Sequence, residues 1–265
     1  MLRLRRPSWF AVLLTLAGVA VFVRLGIWQL DRAAYKERLL TRFDHASTAP
    51  LAPFAQVAGQ APRYRYTHVA VQGHFLRDRS YMWDDQTEGE QVGVDVYVPF
   101  VVPGHARLLL VNLGFLPHSG GTGNVPQMPP LPAGAVTLHG LYAPMPPPGL
   151  RIGGDQLARQ RRYPKLATYL QLGQIRRDLG RPLDPGVLLL DPDPHAAYLR
   201  QWTPTFMPPA RHQAYAFQWF SFAVAAVVIF IVLHRRKPGP APDDDPPAPP
   251  CPRPPPPSAA AACNC

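Results

Sequence analysis

Arg211-His-Gln-Ala-Tyr-Ala-Phe-Gln-Trp219 leads into an uncharged stretch that runs on to Leu233. From Tyr215 to Leu233 there are about 19 residues, which as a helix rise roughly 28 Å and match a bilayer core. His234, Arg235, Arg236 and Lys237 follow, the basic flank expected on the cytoplasmic side. At the other mouth, His212, Tyr215, Ala216 and Trp219 fall at i, i+3, i+4 and i+7, so they stack on one helix face. A histidine, two aromatics and a small residue in one stripe suit a flat, half-apolar ligand. Ala216 leaves room, and His212 offers a ring nitrogen to a metal. The same aromatics also fit a plain interfacial belt, where amphipathic rings gather at the headgroups.

The N-terminal end mirrors this one. Met1 to Ser8 form a basic head with Arg3, Arg5 and Arg6, and Trp9 to Val23 carry no charge. The basic-then-apolar order resembles a secretory signal. Its only small-x-small triplet, Gly18-Val19-Ala20, lies inside the apolar run, so we expect an uncleaved anchor over 9–30. Arg24, about one turn from the outer end, can snorkel to the headgroups. Both basic flanks place the termini in the cytoplasm. The region 31–211 is then outside, periplasmic in a bacterium or in the intermembrane space of a mitochondrion. The span at 212–233 is followed by a low-complexity cytoplasmic tail, 234–265.

Composition narrows the function. Net charge is +10, with 47% hydrophobic and 17% charged residues. No basic helix, zinc-finger spacing or aromatic-basic platform is visible, so nucleic acid is not an expected partner, and membrane lipid is. All three cysteines (Cys251, Cys263 and Cys265) lie in the tail. The outer region therefore offers no disulfide and no thiolate pair, which disfavours copper delivery. Serines are few, with no Gly-x-Ser-x-Gly elbow. The nine histidines are scattered, with no His-Glu-x-x-His and no carboxylate cluster. Nothing asks for an enzyme.

Between the spans, Asp31 to Phe43 holds good or neutral helix formers, with Trp28, Arg32, Tyr35 and Leu39 along one face. We expect the first helix to leave the membrane and dock on the outer domain by that face. Residues 49–63 read as a loop. Strand patterns follow at Thr67 to Phe75, Ser80 to Trp83, Val94 to Val98, Arg107 to Phe115 (nearly continuous and so central), Ala135 to Tyr142 and Val187 to Leu190. The turns between the earlier strands, Asp84 to Gly89 among them, favour antiparallel pairing. Gly120-Gly-Thr-Gly123 leads into prolines and is a turn, not a phosphate loop. Residues 143–163 form a long Pro-, Gly- and Arg-rich excursion. One helix is expected from Pro164 through Leu166, Tyr169, Leu172, Ile175 and Leu179, stopped by Gly180 and Pro182. The expected fold is an α+β membrane protein. Two transmembrane helices flank one antiparallel β-rich extracytoplasmic domain, barrel- or sandwich-like, with one or two helices.

Three blocks together carry a family resemblance. They are Leu25-Gly-Ile-Trp-Gln-Leu-Asp-Arg32 with Lys36 and Leu39; Gly73-His-Phe75 with Val111-Asn-Leu-Gly-Phe-Leu-Pro117; and Arg211 to Trp219. In order, spacing and two-span topology the chain resembles the Surf (surfeit locus) family of cytochrome c oxidase assembly factors, over roughly residues 8–235. It departs where the family block carries an arginine and a tryptophan and this chain has Leu113 and Phe115. The resemblance implies a membrane-tethered, non-enzymatic factor that helps mature the haem-copper oxidase. Bacterial members are thought to bind haem a and help deliver it to the catalytic subunit. By position, His212 would be the axial ligand of the haem iron. The expected pocket sets Trp28, Tyr215 and Trp219 around the macrocycle and Arg24, Arg32 or Arg211 near its propionates. The implied partners are the oxidase catalytic subunit and haem a synthase, in a bacterial inner membrane. A scaffold that binds oxidase subunits and no cofactor is the alternative.

Overall fold

A computed structural model describes residues 7–62, 65–118, 125–147, 156–204 and 207–235. The basic head Arg3, Arg5 and Arg6, the expected turn at Gly120 to Gly123, part of the 143–163 excursion, Arg236, Lys237 and the cysteine-bearing tail lie outside the described residues. The chain divides into two compact units. One is Val23–Phe220, and the other combines Met1–Phe22 with Ser221–Cys265.

Helix α1 spans Trp9–Ser47, 39 residues and roughly 58 Å at 1.5 Å per residue. It starts where Ser8 Oγ accepts the Ala11 N–H at 3.2 Å. It ends where the Ser47 and Thr48 hydroxyls donate back to the Asp44 carbonyl and Pro50 cannot continue it. The length exceeds a bilayer core about twofold, so the helix continues well past the length of a single span. The buried face shares Leu39 with the expected one and departs from it at Trp28 and Arg32. Gly26, Ala33, Leu39 and Phe43 are the buried positions, while Arg32 is exposed and Trp28 keeps 50% of its surface. Small residues let backbones approach, and a guanidinium on that face would lose its water. At its far end Phe43 packs edge-on against Tyr66, ring centroids 5.0 Å apart, within a core that includes Tyr81, Trp83 and Tyr97.

Helix α3 spans Pro209–Leu233. Both α1 and α3 are long and apolar enough to cross a membrane, which fits a membrane protein. In the unit Val23–Phe220 the two helices meet closely. A Cβ built on Gly26 would lie 2.6 Å from the Phe220 ring edge, and His212 and Ala216, one turn apart, are buried. In the other unit the Phe22 and Phe222 rings lie 5.8 Å apart and Ala223 is buried.

The remainder of Val23–Phe220 is built on one mixed sheet of eight strands. In chain order they are β1 Ala52–Pro53, β2 Thr67–Phe75, β3 Tyr81–Glu88, β4 Gln91–Val101, β5 Leu108–Pro117, β6 Val136–Ala143, β7 Lys165–Ala167 and β8 Leu183–Leu190. Their spatial order is β1-β2-β6-β8-β5-β4-β3-β7. The end of β2 also pairs with the end of β4 (His74 with Val101, Phe75 with Phe100). Pairing therefore runs β2, β6, β8, β5, β4 and back to β2. β5 is central as expected, buried from Leu108 to Leu116 between β4 and β8.

Four expectations are corrected. The sheet is mixed, since β1–β2, β3–β7 and β5–β8 are parallel. Short turns fix only neighbours in sequence, and the long path from β5 to β8 leaves room for a crossover. The helix expected from Pro164 is strand β7 followed by a shorter helix α2, Leu172–Leu179. Lys165–Ala167 is drawn into ladder bonds with Tyr81–Trp83 instead, and Gly180 at φ 64° ends α2 as its position requires. Asp84 to Gly89 is not a turn throughout. β3 runs to Glu88 with an irregularity between Trp83 and Gln86, where Asp85 takes φ 58°. The 49–63 loop contains β1 and a 3-10 turn at Phe54–Gln56.

Polar clamps hold the connections onto the sheet. Asp178 accepts from Lys165, from Tyr81 Oη at 2.8 Å and from Tyr163 Oη at 2.6 Å. Burial alone would disfavour its carboxylate, yet these donors hold its pKa below the ordinary aspartate value. The fully buried Asp184 accepts the Gly59 N–H at 2.7 Å and pairs with His105 Nε2 at 2.9 Å. His68 lies between the Ala49 carbonyl (Nδ1, 2.8 Å) and Asp191 (Nε2, 2.9 Å), tying the exit of α1 to β2 and the end of β8. Burial favours its neutral ring, but the two acceptors outweigh that and raise its pKa.

Replacing Asp178 with Ala leaves the Lys165 ammonium buried and unpaired. We expect a loss of about 3 kcal/mol, read as a lowered thermal midpoint in detergent. For His68 the folded pKa lies above the unfolded value near 6.5, so its stabilisation is complete below that pH and is lost as pH rises through the folded pKa. The unaltered chain should lose thermal stability on going from pH 6 to pH 8.5 by more than His68→Gln does. Gly26→Leu should destabilise the helix pair by about 1–3 kcal/mol through overpacking. Gly26→Ala, which the Phe220 ring can turn to admit, should cost less in the same melt.

Candidate functional site

Where α1 and α3 meet, one turn of each helix supplies the polar chemistry. Gly26, Gln29 and Ala33 follow at i, i+3 and i+7 on α1, and His212 and Ala216 follow at i and i+4 on α3. The small residues bring the backbones near enough for side chains to bond across. His212 Nδ1 lies 2.8 Å from Gln29 Oε1. A carboxamide oxygen only accepts, so this contact is a hydrogen bond when Nδ1 is the protonated nitrogen. His212 is 7% exposed, and among the described residues its Nε2 has no hydrogen-bond partner. The positive charges of Lys36 and Arg32, two turns and one turn beyond Gln29 along α1, bear on the ring. A buried imidazole with one nitrogen tethered, facing two cations, can bind a metal through its other nitrogen and an anion beside it.

The residues read from sequence are distributed unevenly around this point. His212 is buried at its centre, and Arg32 is exposed one turn beyond Gln29 on α1. Tyr215, one turn after His212, keeps 42% of its surface, and Trp219, two turns after it, is half-buried. Arg211 is exposed beside His212, and Arg24 is exposed on α1. Trp28 precedes Gln29 by one residue, a rotation of about 100°, so it is not on the face of α1 that meets α3. Arg32 carries a different contact, its guanidinium 5.0 Å from the Tyr35 ring.

Two residues of the site went unassigned in the sequence reading, Gln29 and Lys36. Both lie in the first motif block. The heptad-like run Gly26, Gln29, Ala33 was the available signal for Gln29, since a polar residue between two small ones marks a helix-contact stripe.

The β domain holds other buried chemistry. Asp95 on β4 is pushed up to about 7, chiefly by burial, with the charge of Glu88 adding and the Asn112 hydrogen bond opposing. Asn112 Oδ1 also accepts the Gly114 N–H at 3.0 Å, in the second motif block. Leu113 and Phe115, the two departures from the family pattern, are both buried. A cleft of about 550 Å³ opens between Phe115 and Pro117 on the sheet and the 192–201 strap. Among the described residues, no group of three or more His, Cys, Asp or Glu stands close enough to hold a metal ion. A single imidazole would suit an iron that arrives already held by a macrocycle, with His212 as the residue that would hold it.

Comparison with known proteins identifies the family. The SURF1 family model matches residues 16–224. A SURF1-like protein of Monosiga brevicollis is 29% identical over 105 residues, covering 36% of this chain and 40% of that relative. This chain therefore spans well under two thirds of the relative's length. The family match takes in most of the chain, including both helices that meet at His212, and the chain belongs to the SURF1 family, whose members are generally cytochrome c oxidase assembly factors rather than enzymes.

Proposed function

We propose that this chain is a membrane-anchored assembly factor for the haem-copper cytochrome c oxidase, and that it binds haem a at His212 and aids its insertion into the catalytic subunit. In this reading it sits in a bacterial inner membrane with both termini cytoplasmic and the β domain periplasmic. One observation carries the haem half: a buried imidazole whose Nδ1 is tethered to Gln29 while Nε2 has no partner among the described residues. Haem iron accepts such a nitrogen as an axial ligand. The macrocycle's anionic propionates call for cations, and Arg32 and Lys36 act on the ring from the aqueous side. Tyr215 and Trp219 supply aromatic surface one and two turns further along α3. Arg211, Arg24 and Trp28 are secondary members, near the mouth but outside the α1–α3 contact. The oxidase catalytic subunit and haem a synthase are the partners this role requires, with lipid around α1 and α3.

A second reading has its own support. A histidine and a glutamine bonded across two helices also make a structural clamp, so a scaffold that binds oxidase subunits without a cofactor needs nothing more at His212. The optical spectrum separates the two. The full chain, purified in detergent after expression with the haem a pathway, should carry a Soret band. His212→Ala should reduce the bound haem by at least tenfold while the protein still folds. A colourless unaltered protein, or equal haem in both, favours the scaffold.

A further inference from the structure

We propose that Gln29 is a positioning residue that sets the tautomer of His212, keeping the proton on Nδ1 so that Nε2 is the coordinating nitrogen. The inference rests on the reading of His212 as a haem-iron ligand and deepens it.

A neutral imidazole has one N–H and one lone pair, and only the lone pair can bind a metal. Which nitrogen is left free depends on what the other one meets. At 2.8 Å from Nδ1 stands an oxygen that cannot donate, so the proton belongs on Nδ1. Were the amide turned to present its NH2 group, the lone pair would be on Nδ1 and the proton on Nε2, and the nitrogen without a partner would be closed to iron. Ligating histidines commonly hand their second N–H to a carbonyl or carboxylate, which fixes ring orientation and raises basicity. Gln29 is placed to do this because Gly26 and Ala33, on either side of it along the α1 stripe, have no bulk to hold the helices apart. The Gly26 position has no room even for a methyl group without moving Phe220. The contact thus places an acceptor, on a rigid helix, where a free histidine in water would be held by nothing.

The test has an arm that needs no haem. Long-range 1H–15N correlation on the 15N-histidine-labelled full chain in detergent, at a pH where the ring is neutral, reports the tautomer of His212, assigned by its loss in His212→Gln. We expect Nδ1–H in the unaltered chain and a shift towards Nε2–H in Gln29→Met, which keeps the length of the side chain and removes the acceptor. Ferric protoporphyrin IX titrated into the same proteins should bind Gln29→Met about tenfold to a hundredfold more weakly. Gln29→Glu restores an acceptor. It should keep the Nδ1–H tautomer, recover binding, and lower the reduction potential of the bound iron, which loss of helix packing would not do. An Nε2–H tautomer in the unaltered chain overturns the proposal. Porphyrin binding that Gln29→Met leaves unchanged overturns the proposal alone. No porphyrin binding by the unaltered chain overturns the haem reading, and the proposal with it, even if the tautomer is as expected.

Discussion

The close approach of α1 and α3 at Gly26 is the constraint on which the rest depends. Between two apolar helices in lipid the hydrophobic effect gives no net attraction, because the tails are as apolar as the side chains. Association there has to come from packing and from polar bonds across the contact. This chain supplies both within one turn. Gly26 accepts the Phe220 ring against its backbone, and three residues on, Gln29 bonds His212 across the contact. A bulky side chain at Gly26 would meet the Phe220 ring and press the helices apart, so the contact of the imidazole with Gln29 depends on a missing side chain one turn away.

The β domain makes that contact worth having. α1 continues well past the length of one span to Ser47, and near its end Phe43 enters the same core as Tyr81 and Tyr97. The clamp at His68 then ties the chain just past α1 to Asp191 beyond β8. From there the 192–201 strap, bonded to β5 through Phe115 and Leu199 in both directions, leads on towards α3. The two helices are thus joined to one sheet at neighbouring points. Whatever the domain meets is mechanically connected to the turn that bears His212.

Much of this was legible in the sequence, and the parts that were not share a cause. Uninterrupted apolar runs declared α1 and α3, and period-two alternation found the longer strands, because both signals are local. Of the α1 face read from Trp28, Arg32, Tyr35 and Leu39, only Leu39 is buried. Large aromatic and cationic residues are conspicuous in a sequence, whereas the buried stripe was written in glycine and alanine around one glutamine. β7 was hidden for a similar reason. Lys165 is 5% exposed, and a lysine inside a strand is expected only once Asp178, from a helix 13 residues away, is known to meet it. Parallel pairing of β5 with β8 depends on a crossover of some 65 residues, beyond any window of periodicity. His212 was singled out by its place at the start of an apolar run. Gln29 needed the partner helix.

The two departures in the second motif block follow from the same logic of burial. Leu113 and Phe115 are both in the interior, with Gly114 between them at φ 122° and pressed against the Leu199 carbonyl. At that point the backbone is bulged, since the β4–β5 register shifts between Val96 and Tyr97, and neighbouring side chains no longer alternate cleanly across the sheet. A cation at 113 would have to be paired in a region where aliphatic packing surrounds it. Here the guanidinium that reaches this backbone comes from the strap instead. Arg200 donates from Nε to the Leu113 carbonyl at 3.0 Å and from Nη1 to the Asp191 carbonyl at 3.0 Å. It reaches the strand without giving up all its water, because its head lies at the edge of the core. In this chain the side chains of β5 are committed to packing, and the positive charge beside them is carried by the segment that leads to α3.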